Sequence, residues 1–219
     1  MKFTDVIFDF DGVLSDTVPL KEEAFVQALK DLLTTAESIE KVRQLHRENG
    51  GVPRFNKLKI MLKELDAGHS EESVDLRVSM YSAALKNMLS GAVIEEECCS
   101  VIAKLAENNV RLHINSAGDK SEIEAFLARF DLLPYFTRIL GNENSKKSNI
   151  RSIMEEFELD NSSALFIGDS NEDLLTAEHF DVAFVKFERY GSNITSTKYP
   201  SLKTFSALYS FILPNSNEH

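Results

Sequence analysis

Cysteine is nearly absent from this chain: Cys98 and Cys99 are the two it has among 219 residues. As sequence neighbours they are poorly spaced for an ordinary disulfide and wrong for a zinc pair, which leaves small residues packed on a helix. Long hydrophobic runs are missing too. None approaches the ~20 apolar residues that cross a bilayer. The aspartates at Asp5, Asp9 and Asp11 interrupt any apolar signal core at the N-terminus. No membrane association and a cytoplasmic location are therefore expected. Positive charge is in deficit, since 24 Lys and Arg face 35 Asp and Glu and the formal net charge is −11. That balance argues against a broad basic face for nucleic acid. A local cluster of cations can still hold a small anion within a Debye length of about 8–10 Å. No repeat, low-complexity tract or Pro/Gly-rich linker occurs, and the length suits one large domain or a core with one insertion.

What is present is a pattern that changes twice. Phe3 to Phe10 is β-branched and aromatic and predicts a strand running into a turn at Gly12. From about Pro19 to Leu89 the pattern is helical. Apolar stripes run through Ala24, Phe25, Ala28, Leu29 and Leu32, then Phe55, Leu58, Ile60, Met61 and Leu65, then Val74 to Met88. After Gly91, helices and strands alternate. Helices are predicted at about 95–108, 121–130, 147–158 and from 171, with strands at Val110–Asn115, Arg138–Leu140, Ala164–Ile167 and Val182–Val185. Such alternation predicts an α/β fold, a doubly wound parallel sheet with helices on both faces. Residues 1–17 and 92–219 would form this core, and residues 18–91 an inserted all-helical domain. In such sheets reactive groups gather at the carboxyl ends of the strands.

The chemistry-bearing residues fall at those ends. Asp9 and Asp11 lie two apart, which on a strand places both carboxylates on one side; the pair repels unless a cation or proton intervenes. The second strand ends in Asn115-Ser116-Ala117-Gly118, a hydroxyl followed by backbone amides suited to an oxyanion. Lys146 and Lys147 open the next helix, where ammonium and helix N-terminus can both face an anion. The fourth strand ends in Gly168-Asp169-Ser170-Asn171-Glu172-Asp173, with carboxylates at Asp169 and Asp173. Taken singly, Ser116 is a turn serine, the lysines a solvated helix start and Asp169 an N-cap. Their common placement at successive strand ends is what argues for a site.

This set resembles the haloacid dehalogenase superfamily, in the form used by its phosphoglycolate-phosphatase and β-phosphoglucomutase branch, over the whole chain. Asp9 to Thr17 look like the first motif, Ser116 the second, Lys146 or Lys147 the third and GDSNED the fourth, although the Lys-Pro pair common at motif three is missing. The helical insertion sits where that branch carries its cap. The resemblance implies a phosphatase in which Asp9 attacks phosphorus to give an aspartyl-phosphate and Asp11 acts as acid and then base. It implies Mg²⁺ on Asp9, Asp169 and the backbone carbonyl of Asp11, with Asp173 holding a metal-bound water or the lysine. The metal, Ser116 and the lysine would offset phosphoryl charge, while the amides of Ala117 and Gly118 remain the oxyanion cradle read from the residues. A carboxylate at Asp11 argues against dehalogenation. The expected partner is a small phosphorylated metabolite such as phosphoglycolate or a sugar phosphate, for a monomer or homodimer. A phosphosugar mutase and a silent binding module on the same fold are the alternatives.

Within the insertion, Gly51-Val52-Pro53-Arg54 fits the Gly-x-x-Arg pattern of that branch's cap loop, which makes Arg54 a candidate for reading the leaving group; a solvated basic turn is the plainer reading. His46 to Arg54 is expected to be a bend between helices. Asp16 and Thr17 would cap the first cap helix or serve the site. His69, His113 and His179 have no metal partner at useful spacing. Between the lysines, the stripe Ile150, Ile153, Met154 and Phe157 favours Lys146, four residues before Ile150 and on its side of the helix; Lys147 is rotated by roughly 100°.

Overall fold

The computed structural model describes residues 3–190 and 192–214. The chain divides into two compact units, Met1–Asp16 with Val93–His219, and Thr17–Ala92.

The first unit is built on strand β1 (Asp5–Phe8), whose four residues are all buried. It is paired along both edges, with β2 (Arg111–Asn115) and with β4 (Ala164–Gly168), and its side chains are buried on both faces of the sheet, which is why the run is unbroken rather than alternating. The sheet is completed by β3 (Phe136–Leu140), β5 (Ala183–Phe187) and the two-residue β6 (Ser201–Leu202). Its six strands are parallel, in the order β3-β2-β1-β4-β5-β6. The chain therefore winds outward from β1 to β3, returns to β4 and continues the other way. Right-handed crossovers then place the connecting helices on opposite faces. These helices are α5 (Glu96–Glu107), α6 (Lys120–Ala128), α7 (Lys146–Glu156), α8 (Asn171–Phe180) and the terminal α9 (Phe205–Ile212). This is the doubly wound α/β fold expected, with the order of strands reversing beside β1 and β4. Strand β6 and helix α9 had no counterpart in the sequence reading.

Glycine is scarce, and polar residues take its place where helices stop. Asn109, Asp131, Glu158 and Asp181 adopt the left-handed conformation just after α5, α6, α7 and α8. Cys98 is buried on α5, Cys99 is half-buried, and both are free thiols.

The second unit holds four helices, α1 (Val18–Leu29), α2 (Ala36–Glu48), α3 (Arg54–Glu64) and α4 (Glu71–Leu89). Phe25, Leu29, Val42, Leu58, Met61, Val74, Tyr81 and Leu85 form its core. Phe25 and Tyr81 meet with ring centroids 4.3 Å apart. Capping boxes Thr35–Ser38 and Ser70–Ser73 start α2 and α4. Two expectations need correction. His46, Arg47 and Glu48 are the last turn of α2 rather than part of a bend, and His46 is buried. Thr17 precedes α1, but its side chain makes no capping bond there; a proline in the first turn sets the helix start instead.

Candidate active site

The ladder on β1 ends at Phe8, and the Asp9 N–H still reaches the Ile167 carbonyl at 2.9 Å. The chain then turns sharply. The Phe10 carbonyl accepts from Leu14 N at 3.0 Å, and Gly12 N donates to Ser15 O at 2.9 Å. Asp9 and Asp11 are therefore brought near one another by a tight turn, not by strand alternation as expected. Gly12 makes the turn possible: its φ is +81°, and a Cβ there would lie 2.2 Å from Oδ2 of Asp169. The loop after β1 is in this way packed directly on the loop after β4.

Lys146 is the first residue of α7, whose N-cap Ser145 accepts from Ser148 N. Its side chain is 3% exposed. The ammonium lies 2.6 Å from Asp173 Oδ1 and 3.0 Å from Asp9 Oδ1. The contact with Asp173 is a short hydrogen bond, and Asp9 Oδ1, itself buried, faces the same ammonium as its ionic partner. Lys147 is exposed on the far side of the helix and does not join the cluster, as its rotation about the axis requires. Asp173 is fully buried, the third residue of α8, and its Oδ2 accepts from the amide and hydroxyl of Ser170. A side chain at Gly168 would strike Asp173 at 2.4 Å, so that glycine leaves the space Asp173 fills.

Ser116 follows β2, buried, with its hydroxyl 3.5 Å from Asp11 Oδ2, too long for a strong bond. It also accepts from Gly118 N at 3.0 Å. The Gly118 amide is thus spent on Ser116 rather than open to a ligand, which corrects its expected part in an oxyanion cradle. Ala117, between them, is half-buried. Ser192 and Asn193, which the sequence reading did not single out, hold the Asp169 backbone. The Ser192 hydroxyl and Asn193 N both donate to the Asp169 carbonyl, and Asn193 Oδ1 accepts from Asn171 N. Their place after the fifth strand of the sheet was the available signal. Arg54 opens α3 in the helical unit, where its guanidinium donates to Ser82 Oγ at 2.8 Å and lies over Tyr81.

Four carboxylates and one ammonium meet here, an excess of negative charge in a buried place. Burial pushes the Asp9 carboxyl up to about 7; Lys146 opposes the rise and Asp173 and Asp11 add to it. Asp169 is driven well above the carboxylate range, first by burial and then by Asp9 and Asp173. For Lys146 burial works against the charge, but Asp173 and Asp9 more than reverse it and hold it as ammonium. Among the described residues, Asp9, Asp169 and Asp173 each offer an oxygen within 4.8 Å of the others. A divalent cation fits this set: the donors are hard oxygens, and one ammonium leaves the four carboxylates with excess negative charge. Since Asp173 already binds Lys146 and Ser170, Asp9 and Asp169 are the open donors.

A family model for haloacid dehalogenase-like hydrolases matches residues 6–187, a span that includes Asp9, Asp11, Ser116, Lys146, Asp169 and Asp173. The chain belongs to this family. Similar proteins include a phosphoglycolate phosphatase of Photorhabdus laumondii, 26% identical over 178 residues, 79% of this chain and 75% of that one. A phosphorylated carbohydrates phosphatase of Thermotoga maritima is 31% identical over 144 residues, 64% of this chain and 62% of the other. The crystal structure of a predicted phosphoglycolate phosphatase from Haemophilus somnus superposes with a TM-score of 0.80 over 97% of this chain and 99% of that one, at 18% identity, a likeness of fold. These matches agree with the resemblance drawn from the motifs: this haloacid dehalogenase-like hydrolase is an enzyme of the phosphatase kind.

Proposed function

We propose that this hydrolase removes the phosphoryl group from a small phosphate monoester through an aspartyl-phosphate on Asp9, with Mg²⁺ as cofactor. The observation that carries the reading is the arrangement of Asp9. It is a buried carboxylate at the switch point of the sheet, with the Lys146 ammonium 3.0 Å from its Oδ1 and Asp169 and Asp173 beside it.

Asp9 attacks phosphorus, forming a P–O bond while the ester P–O bond breaks. Asp11 gives its proton to the departing oxygen, then takes one from water as that water cleaves the acyl-phosphate and frees inorganic phosphate. Lys146 and Ser116 balance charge on the phosphoryl oxygens. Asp173 keeps Lys146 charged and aimed, using the 2.6 Å hydrogen bond. Asp9 and Asp169, with the Asp11 carbonyl, would hold Mg²⁺, which supplies positive charge against the phosphoryl group. The helical unit is assigned the role of a cap, with Arg54 reading the leaving group.

The test is a panel of phosphorylated metabolites with inorganic phosphate as readout, run on the native protein, on Asp9→Asn and after chelation. Turnover lost in both perturbations supports the reading; more than a few per cent retained in either overturns it. Conversion of a sugar 1-phosphate to its 6-phosphate without phosphate release would replace hydrolysis with a mutase.

A further inference from the structure

We propose that Asn115 and Asn149 form a buried amide relay that places Lys146, making both of them positioning residues for phosphoryl transfer; the functional part rests on the reading of Lys146 given above. Asn115 ends β2 and is 0% exposed, and Asn149, in the first turn of α7, is 2% exposed. Asn115 Nδ2 donates at 3.0 Å to the backbone carbonyl of Lys146 itself. Asn115 Oδ1 accepts at 3.1 Å from Asn149 Nδ2, which also donates at 3.0 Å to the Gly141 carbonyl just past β3. Both amide orientations follow from these partners, because turning either one over would set oxygen against oxygen. Asn149 N closes the turn on the Ser145 carbonyl at 2.9 Å. The end of β2, the end of β3 and the start of α7 are thus tied at the peptide that carries the ammonium.

The lysine needs this. Its side chain has four rotatable bonds, yet its nitrogen must sit 2.6 Å from Asp173 and 3.0 Å from Asp9. Where the nitrogen falls depends on where the backbone is held. Apolar residues would fill the same volume without fixing direction, whereas buried amides bond only in set geometry, and one left unpaired is costly. Adjacent residues at a strand end point to opposite sides, so Asn115 anchors α7 while Ser116 faces Asp11. One dipeptide therefore sets the spacing between two site groups.

The test uses Asn115→Leu, Asn149→Leu and the double variant, which keep the volume and remove the bonds, with Asn149→Ser as a milder change if either fails to fold. Two readouts are taken: kcat and KM on the best ester from the panel, and acylation of Lys146 by an amine reagent, followed by peptide mass spectrometry. Loss of position by about 1 Å can cost on the order of 10²-fold in rate. The expected result is a 10- to 100-fold fall in kcat with KM within about twofold, Lys146 acylated about tenfold faster, and a double variant no worse than the poorer single one. Leu105→Ala on α5, matched in unfolding midpoint, should change neither readout. Unchanged kcat and labelling, or losses that multiply in the double variant, would overturn the relay. The labelling does not depend on turnover, so a protein inactive on every ester would sink the proposed function and still leave the relay decided.

Discussion

Replacing Gly12 by alanine tests how the two aspartate loops are joined. The added methyl would lie 2.2 Å from Oδ2 and 2.8 Å from Cγ of Asp169, against the 3.4 Å at which ordinary contact begins. Relief needs a shift of about 1 Å in the Asp169 carboxylate or in the turn that carries Asp11. The residue also sits at φ +81°, where an L side chain adds strain of about 1–3 kcal/mol. Displacement on that scale at a reacting centre costs on the order of 10²-fold, so kcat should fall by about that factor. Affinity for Mn²⁺ as a Mg²⁺ substitute, measured by calorimetry, should weaken alongside it, since Asp169 is an open donor. Gly68→Ala is the control, because nothing lies within 4 Å of a Cβ there and its φ is outside the left-handed region. It should leave activity unchanged and stabilise by about 0.4–1 kcal/mol through the unfolded chain. If Gly12→Ala bound Mn²⁺ and turned over like the native protein, the packing of Asp169 on this turn would have no functional weight.

Asp11→Ala should slow esters with poor leaving groups far more than activated aryl esters, because only the former need a proton; equal losses would remove Asp11 as the acid. Lys146→Ala should abolish turnover while exposed Lys147→Ala stays within about twofold, and the reverse ranking would move the third motif by one residue. Arg54→Ala should raise KM for esters with large charged leaving groups and spare a small aryl ester; a uniform loss would make Arg54 structural. At the amino end of β1, burial would raise the Asp5 carboxyl, but bonds from His113, Arg111 and Thr4 outweigh this and hold it at about 2 against an ordinary 3.8. A depressed carboxylate stabilises the fold above its unfolded value and loses that contribution as pH falls toward 2. The gap corresponds to about 2 kcal/mol, and to about 1 after screening, since the Arg111 side chain is 43% exposed. Asp5→Asn should therefore cost about 1–2 kcal/mol in urea unfolding at pH 7 and close to nothing at pH 2; the same cost at both would refute the charge argument.

Much of this was readable before the fold was known because it is local. The apolar run at β1, the helix and strand alternation after Gly91 and the lysine register on α7 each rest on a period written within a dozen residues. Where the reading slipped, a tertiary contact had outvoted the local pattern. Asp9 and Asp11 looked like strand neighbours on one face, yet the chain turns at Phe10 because Gly12 gives Asp169 room. The last turn of α2 reads as part of a bend because the helix face is narrow, with Val42 and His46 its buried residues among charged ones. The Gly118 amide looked free for an anion until Ser116 was seen to accept it. Asn115 and Asn149 carried no signal, since a buried amide and a solvated one are the same letter.

Element types, the α/β class and the residue kinds that close each strand follow from local order alone, because backbone propensity and side-chain periodicity act over short range. It took the packed sheet to place β1 between β2 and β4, and with it to bring Asp9, Ser116 and Asp169 to one edge. That packing alone decided that Asp173 spends its oxygens on Lys146 and Ser170 and that the same ammonium faces Asp9 Oδ1. Those outcomes depend on the register of strands more than a hundred residues apart, such as Phe8 against Ile114 and Ile167. A slip of one residue there would turn the side chains at the strand end to the other face.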